Sequence, residues 1–165
     1  MAETLRTWFT PQVIADPGTL DGGDVIVTSD RVLLGRSSRT NDNGIAQLTQ
    51  IVSEAGLRPV EVRVDEGLHL KSAVLPIDEE TAVVTPGAVD ESALAGYRLI
   101  REDNGERFRF SALPLPDGRI LVTASAPRTI ATIDALGYAV VPIDISQIQA
   151  ADGGLTCMSV LFNIP

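Results

Sequence analysis

One thiol and one imidazole make up the nucleophilic inventory of this chain. Among 165 residues Cys157 is the only cysteine and His69 the only histidine. A thiol attacks as its thiolate, and with an ordinary pKa of about 8.5 it needs a cationic or hydrogen-bonding neighbour at neutral pH. An imidazole can be that neighbour, can protonate a departing amine, and can then take a proton from water. A carboxylate on the far ring nitrogen would fix the tautomer and favour the cation. Taken singly, neither residue stands out. A lone cysteine in the run 155–162 is most often a small buried hydrophobe, and a histidine flanked by Leu68 and Leu70 is most often a half-buried ring. A single Cys with a His elsewhere is nonetheless a known nucleophile pattern. The question is whether the fold brings the two together.

The elements that must position them read as one unit used repeatedly. In the first section, 24–28 and 31–34 form a hairpin through Ser29 and Asp30. Residues 44–55 form a helix stopped by Gly56, and 60–64 a returning strand. The second section has strands at 70–76 and 82–85, a short weak helix at 91–95 stopped by Gly96, and a strand at 97–100. The third has strands at 108–113 and 119–122 around Asp117-Gly118, a helix at 128–136 stopped by Gly137, and a strand at 138–143. A further strand is expected at 158–163, a short one at 12–15, and an amphipathic helix over 1–9 from Leu5, Trp8 and Phe9. Sequence echoes support the repeat. Arg31-Val-Leu-Leu matches Arg119-Ile-Leu-Val, Ser38-Arg-Thr matches Pro127-Arg-Thr, and Gly96-Tyr-Arg-Leu-Ile matches Gly137-Tyr-Ala-Val-Val. The expected class is therefore α/β, a single domain of about three ββαβ modules (about 10–64, 65–107 and 108–165) behind the helix at 1–9. Each module is too small to bury its own sheet and must pack on its neighbours.

Asp21, His69 and Cys157 all fall in the loop entering a unit's first strand, or at its start. In a pseudo-symmetric arrangement equivalent positions face one axis, and this is the physical reason to place the three side chains together. Asp21, with Asp24 second, is the candidate carboxylate for the imidazole, although Asp21-Gly22-Gly23 is also ordinary turn chemistry. Arg39, in Ser37-Ser38-Arg39-Thr40-Asn41 before a helix, has the fork geometry to take a carboxylate; a solvated surface arginine is the competing reading.

Composition narrows the classes. Thirteen basic and 22 acidic residues give a net charge of −9, a surface that repels phosphate backbones, so no nucleic-acid partner is expected. One His, one Cys and scattered carboxylates give no zinc spacing, so no metal is expected. No apolar run is long enough to span a bilayer and no leader-like segment follows Met1; with no second cysteine for a disulfide, a reducing, cytoplasmic setting is expected.

Four stretches, in order, carry a specific resemblance: Leu20-Asp-Gly-Gly-Asp-Val25; Gly35 with Ser37, Arg39, Thr40 and Asn41; Gly67-Leu-His-Leu-Lys-Ser72; and Asp152-Gly-Gly-Leu-Thr-Cys-Met-Ser159. They closely resemble dimethylarginine dimethylaminohydrolases, members of the guanidine-modifying pentein superfamily. The resemblance runs from about residue 10 onward. It implies a partial pentein α/β propeller with its site on a pseudo-fivefold axis, and hydrolysis of N-omega-methylated L-arginine to L-citrulline and methylamine or dimethylamine. By motif, Cys157 resembles the nucleophile, His69 the acid and then base, and Asp21 the partner carboxylate. Arg39 resembles the group that holds the substrate α-carboxylate, and the backbone at Ala151, ahead of Asp152, the one that meets the α-amine. No cofactor is implied. Family chains carry further modules ahead of the Leu-Asp-Gly-Gly-Asp stretch, with an acidic grip for the guanidinium that has no counterpart here. The chain is therefore expected to be the C-terminal portion, with open module edges that invite self-association. Arginine deiminase chemistry and a non-catalytic interaction module of the same superfamily remain the alternatives.

Overall fold

A computed structural model describes residues 2–103, 105–107 and 110–161. It contains three sheets of three strands each, built the same way. In the first, β1 (Val25–Val27) pairs antiparallel with β2 (Arg31–Arg36), and β2 pairs parallel with β3 (Arg58–Arg63). In the second, β4 (Val74–Pro76) runs antiparallel to β5 (Thr81–Val84), which runs parallel to β6 (Arg98–Arg101). In the third, β7 (Ala112–Pro114), β8 (Arg119–Thr123) and β9 (Ala139–Ile143) repeat the arrangement. The parallel pair in each sheet requires a crossover. A short helix α1 (Ala2–Leu5) precedes the first sheet. Helix α2 (Asp42–Glu54) supplies the first crossover, a 3-10 turn (Glu91–Leu94) the second, and α3 (Pro127–Ala135) the third. The strand–strand–helix–strand unit expected from the sequence is thus present in the first and third modules, and in the second with a 3-10 turn in place of the helix; Arg31 and Arg119 both open a middle strand.

Boundaries follow local chemistry. Helix α2 starts two residues before Gly44 because Asn41 caps it, its Oδ1 accepting from Gly44 N at 2.8 Å. Pro127 opens α3, and Gly137, at φ 92°, follows its end.

Several expectations are corrected. Residues 12–15 form no strand, because Ala15 gives both its N–H and its carbonyl to the Gln47 amide, at 2.9 Å each. The helix expected over 1–9 is confined to α1, with Trp8 and Phe9 exposed. The strand expected over 70–76 begins only at Val74, after a 3-10 turn (Leu70–Ser72). The third module's first strand covers 112–114 rather than 108–113; 108 and 109 lie outside the described residues. The loop 144–154 contains a short helix α4 (Ser146–Gln149). In place of a strand over 158–163 there is a 3-10 turn (Thr156–Met158), and 159–161 are unpaired; 162 and 163 are not described.

The core is divided between modules. One apolar cluster joins Ile26, Leu33 and Val62 of the first module to Leu70, Val74, Ala82, Val84 and Leu94 of the second. Another joins Leu75, Ile77 and Val83 of the second to Ala112, Ile120, Val122 and Ile133 of the third. Val83 and Val84 therefore face opposite neighbours, as strand alternation requires. A third cluster seats Ile45 and Val52 of α2 on Val32 and Leu34 of β2. Each sheet is stabilised by the next, and this stacking sets the strand-entry turns side by side.

Candidate active site

Three short 3-10 turns carry or directly follow the candidate residues Asp21, His69 and Cys157. Asp21 caps the turn Gly22–Asp24 before β1, its Oδ1 accepting from Gly23 N at 2.7 Å. His69 precedes the turn Leu70–Ser72 before β4. Cys157 lies inside the turn Thr156–Met158, after β9. Asp21 and His69 occupy matching positions ahead of their turns, whereas Cys157 is the middle residue of its own.

The first two turns are bound to each other through Asp24. Its carboxylate is fully buried. It accepts from Ser37 Oγ at 2.6 Å, from Thr40 Oγ1 at 2.6 Å, and from Leu70 N, the residue after His69, at 2.8 Å. These donors occupy Asp24, which places it as the clasp of the inter-module seam and not as the imidazole's partner. The seam also explains a glycine. A Cβ at Gly35 on β2 would lie 2.5 Å from Asp24 Oδ1 and 2.8 Å from Leu70 Cβ.

His69 is held from both sides. The Ser72 hydroxyl donates to the His69 carbonyl at 2.5 Å, and Ser72 N donates to the same oxygen at 3.0 Å. The ring lies directly on the backbone of Gly23, where a Cβ would come within 2.2 Å of Cδ2 and 2.4 Å of Cγ. Only glycine admits the imidazole there. Its Nδ1 is buried and has no hydrogen-bond partner among the described residues. A buried ring nitrogen without a hydrogen-bond partner costs free energy.

Asp21, Gly22, Gly23, His69, Lys71 and Cys157 all line one open pocket of about 780 Å³, whose far wall is apolar and built from β1, β4 and β7. Asp21, His69 and Cys157 thus line one pocket. Asp21 is half-buried, and beyond Gly23 N it pairs with Arg39 Nη1 at 3.4 Å. Arg39 is itself exposed and reaches the site only through that pair. Cys157 is a free, exposed thiol. Its turn is anchored from β7's approach, where the buried Ser111 hydroxyl accepts from Leu155 N at 2.9 Å. Ala151 and Asp152 are exposed and do not line the pocket. Asp152 adopts φ 59° and pairs with Arg107.

Lys71, in the same stretch as His69, carries no role that the sequence alone assigns. Here its Nζ donates to Gly22 O at 3.0 Å. Burial pushes its ammonium pKa down, against the opposing pull of Cys157 and Asp21. The turn geometry that brings it inward was the missing signal. Among the described residues no group of His, Cys, Asp and Glu could hold a metal ion, and no helix is long and apolar enough to cross a membrane.

No protein-family model matches the chain. Curated relatives do. The chain is 30% identical over 162 residues to an N(G),N(G)-dimethylarginine dimethylaminohydrolase of Pseudomonas aeruginosa, covering 97% of this chain and 63% of that protein. It is 37% identical over 146 residues to the protein of the same name from Streptomyces coelicolor, covering 88% and 55%. It superposes on a solved structure of the Pseudomonas enzyme, a cysteine-to-serine mutant complexed with citrulline, with a TM-score of 0.79 at 29% identity, covering 88% of this chain and 56% of that one. Over most of its length the chain is similar to dimethylarginine dimethylaminohydrolases. It spans 55 to 63% of the length of these two curated relatives.

Proposed function

We propose that this chain carries the nucleophile and the proton-transfer group of a hydrolase that cleaves C–N bonds of guanidines, with N-omega-methylated L-arginine as substrate. The observation that supports this most is the convergence of the only cysteine and the only histidine on one pocket beside Asp21. Relatives bearing the family name, one of them solved with citrulline, supply the substrate class.

The Cys157 thiolate adds to the guanidinium carbon. His69 as imidazolium gives its proton to the methylated nitrogen, and the C–N bond breaks to release methylamine or dimethylamine, leaving a covalent S-alkyl thiouronium. Neutral His69 then takes a proton from water. The resulting hydroxide adds to the same carbon, the C–S bond breaks to return the thiolate, and the remaining hydroxyl proton passes through solvent to the released amine, giving citrulline and an alkylammonium ion. Asp21 would hold the imidazole in the productive tautomer from its place in the same pocket. Arg39, paired with Asp21, would take the α-carboxylate of the substrate, and the backbone of Ala151 and Asp152 its α-amine.

The test is citrulline release from asymmetric dimethylarginine, by this chain alone and by this chain joined to the remaining portion of the longer Streptomyces relative. Turnover that is present with Cys157 and lost in Cys157→Ser supports the reading. Absence of citrulline from both forms, each shown to be folded, contradicts it.

A further inference from the structure

The residue just before each module's first strand is buried, and its chemistry differs from module to module: Asp24 before β1, Ala73 before β4 and Ser111 before β7. The two polar ones hold a neighbouring turn. Asp24 accepts from Leu70 N, next to His69, and Ser111 from Leu155 N, two residues before Cys157. Ala73 has no side-chain acceptor. The seam beyond it is packed by Leu75, Ile77 and Val83 against Ala112, Ile120 and Val122. Two modules can therefore join on apolar contact, and a carboxylate, costly to bury, is not needed to join them.

What Asp24 adds is reach. The register of β1 on β2, with Val25 opposite Leu34, sets Asp24 opposite Gly35, whose missing side chain leaves room for it. Its Oδ2 accepts from the hydroxyls of Ser37 and Thr40, in the loop beyond β2, at 2.6 Å each. A carboxylate only accepts and a backbone N–H only donates, so each hydroxyl turns its proton to Asp24 and keeps its lone pairs for the backbone. Ser37 Oγ then accepts from Arg39 N at 3.0 Å, and Thr40 Oγ1 from Asp21 N at 3.1 Å. With Leu70 N on Oδ1 at 2.8 Å, one buried side chain meets, directly or through one hydroxyl, the backbones of Asp21, of Arg39 and of the residue after His69. The Asp21–Arg39 pair above it, 3.4 Å apart with Arg39 exposed, is weak on its own.

We propose that Asp24 is a positioning residue of this site: through Thr40, through Ser37 and by its own contact with Leu70 N, it sets the backbones of Asp21, Arg39 and His69 as one unit. The proposal rests on the reading of those three as residues of the site.

The test follows the backbone amides of Asp21, Arg39 and Leu70 and the imidazole of the single histidine by ¹H–¹⁵N resonances and hydrogen exchange. Wild type is compared with Asp24→Asn, Ser37→Ala, Thr40→Val and Thr40→Ser. Thr40→Val keeps the shape and removes the hydroxyl. It should speed exchange at the Asp21 amide by about tenfold and leave the Arg39 amide in place, and Thr40→Ser should restore the wild-type behaviour. Ser37→Ala should do the converse, moving the Arg39 amide and sparing that of Asp21. Asp24→Asn offers one acceptor to three donors and should move all three amides and the His69 ring together. A loss of stability alone would speed exchange across the chain and would not be reversed selectively by a hydroxyl. The proposal is overturned if folded Asp24→Asn keeps the wild-type amides at 21 and 39, or if Thr40→Val and Thr40→Ser behave alike. Should Asp24→Asn not fold, the Ser37 and Thr40 variants decide. No substrate is used, so the outcome is separable from the citrulline assay: coupled amides in a chain that never yields citrulline would retain the role of Asp24 and discard the substrate.

Discussion

The imidazole side and the thiol side of the pocket are built differently. His69 sits on a seam between two modules that is closed by Asp24, by Lys71 on Gly22 O, by a bridge between Val64 and Val89, and by Asp90 N on Arg63 O. Large apolar side chains on both sides of that seam are buried. Cys157 sits on a turn tied to the body through Ser111, followed by Met158 and Leu161 at 68% and 57% exposure. The difference teaches that His69 is set against a buried seam between modules while Cys157 is presented on a more exposed support. It also shows that residue type alone does not assign a role. Asp21 and Asp24 stand three residues apart in one motif, yet one opens on the pocket and the other is buried under three donors.

The sharpest way to break the comparison is at the seam. Asp24→Ala would strand the Ser37 and Thr40 hydroxyls and the Leu70 N–H in a buried space. We expect a loss of about 3–5 kcal/mol in urea unfolding, larger than for any change on the thiol side. A cost near zero would mean that water replaces the carboxylate and that the seam is not closed. Gly23→Ala comes next. Its methyl would fall on the imidazole, so the expected effect is about 1–3 kcal/mol together with displacement of the ring. With one histidine in the chain, the imidazole resonances report it directly, and unmoved resonances would refute the packing.

On the thiol side, Ser111→Ala removes one acceptor and leaves Leu155 N unpaired, at a cost of about 1–2 kcal/mol. Its distinguishing result is local: proteolysis within 153–161 accelerates while the His69 resonances stay in place. The smallest effect is at Glu106, which accepts from Arg128 N at 2.8 Å and from Thr129 N at 3.0 Å and so caps α3 from a distance. Burial raises its pKa, but those donors outweigh it and leave the carboxyl below its usual value. A depressed folded pKa contributes stability that is present above the unfolded pKa and lost as pH falls through the folded one. Glu106→Gln should therefore be less stable than wild type by about 1 kcal/mol at pH 7, with the gap closing at acid pH. A gap independent of pH would show that charge has no part in the cap.

Much of the fold was legible because it is repeated. Alternating apolar strands, glycine stops after helices and the Arg31/Arg119 echo recur in all or most modules, and periodicity carries across copies. The site was legible as a set of positions but not as contacts. Asp24 and Asp21 carry the same carboxylate, and only the packing of Ser37, Thr40 and Leu70 separates them. Lys71 was silent in the sequence because a 3-10 turn, not a strand, follows His69, and the turn changes which way the side chain points. The strand expected at 12–15 does not form because the Gln47 amide takes the backbone groups of Ala15 instead, and the described start of 158–163 belongs to a 3-10 turn.

The central claim is that His69 and Cys157 share one site, and the chain's composition allows it to be tested without a substrate. The imidazole ¹H–¹⁵N resonances of His69 are recorded before and after capping Cys157 with iodoacetamide, with Cys157→Ser as the uncapped control. A shared site predicts that the His69 resonances move on capping and that treating the control with the same reagent leaves its resonances in place. Identical His69 resonances in capped and uncapped wild type would contradict the account.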